Sequence, residues 1–195
     1  MKRLVLASNN AGKLREMRAL LAPLGCEVIA QAALGIAEVE EPHESFLENA
    51  LAKARHASRA SGLPALADDS GLCVDALGGA PGVHSAYFAG REGSRAERDA
   101  RNNAKLLASL GQARAAHYRC VMALVRSADD PQPLIAEGVW HGGIARAPRG
   151  ANGFGYDPLF LVDGDGRTAA ELPEAEKNRI SHRGRAAARL LELLR

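Results

Sequence analysis

Apolar positions change period several times along this chain. Residues 3–8 (Arg-Leu-Val-Leu-Ala-Ser), with the apolar run Leu4 to Ala7 at their centre, read as a buried strand. After the polar turn Asn9-Asn10-Ala11-Gly12, Leu14, Met17, Leu20, Leu21 and Leu24 recur at helical spacing, and Gly25 supplies a stop. Residues 26–31 read as a second short strand, and Glu38 to Glu44, acidic and interrupted by Pro42, as a loop. Phe46, Leu47, Ala50, Leu51 and Ala54 then mark a helix over about 45–61, opened by Ser45 with Glu48 in capping-box register. A short strand at 63–67 ends in Asp68-Asp69-Ser70-Gly71, and another at 72–77 runs into the loop Gly78-Gly79-Ala80-Pro81-Gly82. Next come a helix over about 94–110 and two strands, 117–126 and 133–141, expected to pair as a hairpin across Asp129-Asp130-Pro131. A glycine-rich loop at 150–157 leads into a strand at 158–162, and residues 173–195 read as one helix with Leu190, Leu191 and Leu194 buried. The alternation of strands and helices predicts an α/β fold.

Length keeps this to one domain over residues 1–195, folded as two lobes. Apolar residues at 47% and charged ones at 25% exclude a disordered chain. A net charge of +2 suits an anionic small molecule and does not point to a nucleic-acid polymer. The stretch Gly90 to Arg119 is more basic, with seven Arg or Lys against three acids, and reads first as a solvated helix. Cys26, Cys73 and Cys120 are odd in number and form no CxxC pair, so buried thiols are expected rather than a disulfide framework or zinc ribbon. The apolar run after Met1-Lys2-Arg3 is too short for a signal peptide, and no stretch has the length to cross a membrane. A cytoplasmic protein is the expectation.

Four segments carry candidate chemistry. Ser8-Asn9-Asn10-Ala11-Gly12-Lys13 joins a strand to a helix, where the helix dipole and the Lys13 charge favour an anion. It is not a Walker A loop, since Ala7 and Leu14 stand at the required Gly and Ser/Thr positions, and a plain polar turn is the competing reading. Asp68-Asp69 puts two carboxylates side by side at an apparent strand end. They need a cation or donors to offset their repulsion, and a divalent ion such as Mg2+ takes a few carboxylates plus water and phosphate oxygens. Glu38, Glu40 and Glu41 offer a further ligand, while a turn with Asp side chains bonded to nearby N–H groups is the alternative. Gly153-Phe154-Gly155-Tyr156-Asp157-Pro158 alternates aromatics with glycines, suiting either a nucleobase wall or ordinary core packing. In Glu176-Lys177-Asn178 with Ser181-His182-Arg183-Gly184, Ser181 can cap the last helix, and Lys177, His182 and Arg183 offer donors for a phosphate or carbonyl, or simply a basic helix start. No HExxH, paired zinc spacing or GxSxG elbow is present.

Taken in order and spacing, these segments closely resemble the inosine triphosphate pyrophosphatase family over nearly the whole chain. The resemblance implies an elongated mixed β-sheet flanked by helices, two lobes with a central substrate cleft, and a homodimer. It implies Mg2+-dependent hydrolysis of non-standard purine nucleoside triphosphates (ITP, dITP, XTP) to the monophosphate and pyrophosphate. By the same resemblance, Ser8, Asn9, Asn10, Ala11, Gly12 and Lys13 hold the triphosphate, and Ser70 contacts substrate. Asp69 is the catalytic carboxylate and a metal ligand, with Glu41 a second ligand and Glu40 its rival. Phe154, Gly155, Tyr156 and Asp157 form the base-side wall, Lys177 binds phosphate or base, and His182 and Arg183 read the purine oxygen. Asn9 departs from the small residue found in many relatives. A Maf-like pyrophosphatase of modified pyrimidine nucleotides is the second reading, and a non-catalytic nucleotide- or RNA-binding module the third. The acidic pair speaks against the module, because carboxylates without a metal repel a polyanion.

Overall fold

A computed structural model describes residues 2–195. Six strands form one mixed sheet in the order β2-β1-β3-β4-β5-β6. The strands are β1 (Arg3–Leu6), β2 (Glu27–Ala30), β3 (Ala65–Val74), β4 (Ala115–Val125), β5 (Leu134–Ile144) and β6 (Phe160–Val162). The helices are α1 (Ala11–Leu21), α2 (Phe46–Ser61), α3 (Arg95–Ala108), α4 (Glu174–Ile180) and α5 (His182–Leu193). β1 pairs in parallel with β2 and β3, and β5 antiparallel with β6. The expected neighbouring of β4 and β5 is present.

The chain divides into two compact units, and the division falls within β3, β4 and β5. One comprises residues 1–69, 120–138 and 182–195. Its strands alternate strictly. Leu4, Leu6, Leu66, Cys120, Met122 and Leu124 pack in a core cluster with Met17 and Leu21 of α1 and Leu190 of α5. Val5, Ala7, Ala65, Ala67, Val121, Ala123 and Val125 pack in a second cluster with Ala50, Ala54 and Ala57 of α2. Odd and even positions thus serve opposite faces of the sheet, as the period of two requires. The other unit comprises residues 70–119 and 139–181 and has a single core in which Tyr118, Trp140 and Phe160 meet ring to ring.

Local signals behave as their chemistry demands. Gly25 ends the first helical segment at φ 60. Ser45 accepts from the Glu48 N–H at the start of α2, and Ser94 forms a full capping box with Glu97 at the start of α3. Two expectations are corrected. Residues 65–74 are one unbroken strand, so Asp68-Asp69-Ser70-Gly71 lies inside β3 and is neither a strand end nor a turn. The last helix is two helices, broken at Ser181, whose backbone is extended (φ -69, ψ 165). Cys73 and Cys120 are buried thiols as expected, whereas Cys26 is only half-buried.

Candidate active site

β3 decides what the acidic pair does. Successive side chains of a strand point to opposite faces, so Asp68 shares the face of Leu66 and Asp69 that of Ala67. The two carboxylates therefore do not face each other, and each has its own cations. Asp68 Oδ2 lies 3.1 Å from Lys13 Nζ and 3.2 Å from Arg183 Nη2. Burial works to raise its pKa, but Lys13, then Arg183 and Lys53, hold the carboxyl far below the usual range. Arg183 is itself buried, and its Nη1 donates to the buried Glu16 of α1. Glu16, Lys13, Asp68 and Arg183 thus form one buried chain of alternating charge. Such a chain is held together because losing any member leaves an uncompensated charge in a low-dielectric interior.

The Ser8–Lys13 turn is tightly satisfied. The Asn10 side chain accepts from the N–H groups of Gly12 and Lys13 at 3.0 and 3.3 Å, capping α1. The Asn10 N–H reaches Ser8 Oγ, and the Asn9 N–H reaches Glu38. These four backbone donors are engaged within the protein, so the attraction of this turn for an anion rests on the Lys13 ammonium and the α1 dipole.

On the other face, Asp69 is nearly fully buried. Its Oδ1 is 3.2 Å from Lys53 Nζ, and its Oδ2 accepts from Asn49 Nδ2 at 3.3 Å. Lys53 also pairs with Glu41, so two carboxylates from separate segments converge on one cation. Burial opposes the Lys53 charge, but Asp69 and then Glu41 outweigh it and hold the ammonium at about 12. Asp69 is displaced upward as well. Burial raises it, Lys53 and Lys13 pull against that, Glu41 adds to it, and the net position lies above the ordinary aspartate value. Asn49 fixes the acidic loop as well, exchanging hydrogen bonds with both the N–H and the C=O of His43. Glu40 is exposed.

This donor set fits magnesium. Among the described residues no group of three or more His, Cys, Asp or Glu forms a metal cage, and magnesium usually takes one or two carboxylates with water and substrate phosphates. Glu41 and Asp69, already gathered around one positive charge, are such a pair.

In the second unit, the glycine-rich loop is organised by Asp157. Its Oδ2 accepts from the Phe154 N–H at 2.9 Å and from Lys177 Nζ at 2.6 Å. Gly153 has φ +75, and a Cβ there would lie 2.0 Å from Asp157 Oδ2, so only glycine fits beneath the carboxylate. Lys177 and Asp157 are both buried. Phe154 is half-buried, with Lys177 Nζ 5.1 Å and the Arg95 guanidinium 5.6 Å from its ring centre. Tyr156 turns inward: it is buried and its hydroxyl donates to the Ser85 carbonyl at 2.9 Å. Burial, then the Asp99 charge, pushes that phenol above its ordinary range. Phe154 is thus the aromatic of this pair that retains exposure. Ser70 is half-buried, and His182 is buried.

Sequence reasoning missed Lys53, Asn49 and Glu16. Lys53 lies on α2 and was concealed in an ordinary helical pattern. Glu16, three residues after Lys13, reads in sequence as a solvated helix position. The available signal was a charged or amide side chain on a helix face otherwise committed to the core.

Fold and charge arrangement together define an α/β protein whose carboxylate pair and lysines suit an anionic, metal-accompanied ligand. A model of the Ham1 family matches residues 4–193. The chain is 64% identical over 197 positions to a dITP/XTP pyrophosphatase of Ralstonia nicotianae, spanning 100% of this chain and 98% of that one. It is 62% identical to a dITP/XTP pyrophosphatase of Bordetella pertussis, spanning 100% of this chain and 92% of the relative. Among solved structures, a HAM1 protein from Coxiella burnetii superposes with a TM-score of 0.89 at 49% identity, covering 100% of this chain and 98% of that one. The chain belongs to the Ham1 family.

Proposed function

We propose that this chain hydrolyses non-standard purine nucleoside triphosphates (ITP, dITP and XTP) to the monophosphate and pyrophosphate. It does so with Mg2+, as a cytoplasmic homodimer that clears the nucleotide pool. The convergence of Glu41 and Asp69 on a single cation carries this reading, together with relatives whose names specify a dITP/XTP pyrophosphatase. Family membership favours the purine reading over the Maf-like alternative. No helix among the described residues is long and apolar enough to cross a membrane.

Glu41 and Asp69 are the residues that would hold the metal, which when bound neutralises negative charge on phosphate oxygens. Asp69 orients and deprotonates the attacking water. Lys13, held by Asp68, binds the departing pyrophosphate, with the rest of Ser8–Lys13 and Ser70 shaping the phosphate site. Phe154 flanks the base, with Gly155, Tyr156 and Asp157 setting its loop and Lys177 beneath it. His182 and Arg183, the latter braced by Asp68 and Glu16, donate to the oxygen at purine position six. Adenine presents a donor there, and each buried group left unpaired costs about 1–3 kcal/mol.

Pyrophosphate release from ITP, dITP, XTP, ATP and GTP, with and without Mg2+, tests the proposal. Faster turnover of ATP than of ITP would sink the substrate assignment, and undiminished turnover in a chelator would remove the metal. Asp69→Asn should lose at least about a hundredfold in kcat while unfolding at a temperature near that of the parent. Sedimentation at micromolar concentration decides the dimer.

A further inference from the structure

Both peptide groups flanking Phe154 are pinned by carboxylates. The Phe154 N–H donates to Asp157, within the same loop. The Gly155 N–H donates to Asp99 Oδ2 at 3.0 Å, and the Gly155 carbonyl accepts from Asn103 Nδ2 at 2.9 Å. Asp99 and Asn103 lie on α3 one turn apart, so a single helix face holds both polar groups of one loop residue. Arg95, a further turn back on the same face, donates from Nε to Asp99 Oδ1 at 3.0 Å and carries its guanidinium over the Phe154 ring. Gly155 sits at φ +64, a left-handed conformation outside any strand ladder, so its backbone groups depend on side-chain partners.

Asn103 adds a second indication. Its amide oxygen is buried and has no hydrogen-bond partner among the described residues. Flipping the amide would set that oxygen against the Gly155 carbonyl, so the orientation is dictated by the loop. A helix that only needed to pack would be better served here by an apolar residue than by a half-satisfied amide.

We propose that the Arg95–Asp99–Asn103 face of α3 is the positioning element of the base subsite, fixing the direction of the Phe154 ring and through it the selectivity among purines. This rests on the reading above that Phe154 flanks the base. None of the three needs to touch the substrate, so they are positioning residues. The basic stretch that begins at Gly90 thereby gains a role other than contact with a polyanion, since Arg95 is spent on Asp99 and Phe154.

The test compares Asp99→Ala, Asn103→Ala, Asp99→Asn and Phe154→Ala in steady-state hydrolysis of dITP and dGTP. Inorganic tripolyphosphate serves as a competitor that lacks a base. Asp99→Ala and Asn103→Ala should raise the KM for dITP about tenfold with little change in kcat. They should also narrow the preference for dITP over dGTP and leave inhibition by tripolyphosphate unaltered. Asp99→Asn keeps an acceptor oxygen for the Gly155 N–H and should recover most of the loss. If Phe154→Ala raises KM while both α3 variants behave as the parent, the positioning role is overturned and the base wall stands. If Phe154→Ala leaves KM unchanged, the base-wall reading fails and this proposal falls with it. A parallel weakening of tripolyphosphate inhibition, or an Asp99→Asn enzyme as impaired as Asp99→Ala, overturns the proposal in favour of a general loosening of the fold.

Discussion

Asp68 shows how environment divides labour between neighbours of identical chemistry. Buried among Lys13, Arg183 and the more distant Lys53, it is held far below the usual aspartate range. A folded-state pKa below the unfolded value of about 3.9 contributes stability that is present above that pH and is lost as pH falls toward the folded value. Asp68→Asn keeps the shape but leaves Lys13 without its carboxylate and Arg183 with Glu16 alone, so at pH 7 it should destabilise the protein by about 3–5 kcal/mol. The gap between parent and variant should shrink as urea unfolding is repeated from about pH 4 downward. A gap that stays constant down to pH 3 would mean that folding does not displace the Asp68 pKa, and a gap that widens as pH falls would mean that Asp68 is protonated in the native state. Asp69 is displaced in the opposite direction.

At the scale of elements, β3 is the informative case. Asp-Asp-Ser-Gly has the composition of a turn, and local propensity favours breaking the strand there. The strand continues because Lys13, Lys53 and Arg183, remote in sequence, offset the charges. Nothing within the tetrapeptide announces them. Gly71 has a different reason to be there. A Cβ at this position would lie 2.1 Å from the Gly82 carbonyl oxygen and 2.6 Å from Ser85 Oγ. Ser85 Oγ accepts from the Leu72 N–H at 2.9 Å, tying the 82–87 segment to the strand. Gly71→Ala should therefore cost about 1–3 kcal/mol and lower the thermal midpoint by several degrees. A midpoint equal to that of the parent would show that the segment yields easily. Helices α1, α2 and α3 were legible because periodicity and caps are local. At Ser181 only a cap for the last helix was legible, not the full break, since the leucines beyond it keep helical spacing and the interruption is a single extended residue.

For the whole molecule, the chain order and the spatial order of parts differ. The unit that contains Asp69 is assembled from residues 1–69, 120–138 and 182–195, so no contiguous piece of sequence contains it. A chain ending at Ser181 would lose Ala186, Ala187 and Leu190 from the core, and Arg183 from between Asp68 and Glu16. Removing a buried leucine alone costs about 2–5 kcal/mol, so the shortened chain should show no cooperative unfolding transition by circular dichroism. A soluble, cooperatively folding product would mean that α5 is dispensable. The order of motifs was readable from sequence, and with it the family. Which carboxylate meets which lysine was not, because that depends on strand facing and on helices far away in the chain.

The opposite facing of Asp68 and Asp69 makes position in the strand itself a carrier of information. Deleting one residue of β3 upstream of the pair while the rest of the sheet kept its alignment would move Asp69 into the socket lined by Lys13 and Arg183. Asp68 would be carried out of both sockets, and the half-buried Ser70 would turn toward Lys53. The composition of the motif would be unaltered, yet the protein would keep a carboxylate beside Lys13 and Arg183 and lose the one beside Lys53. Insertions and deletions in this decapeptide should therefore be tolerated far less than substitutions at its ends, even where every acidic residue survives.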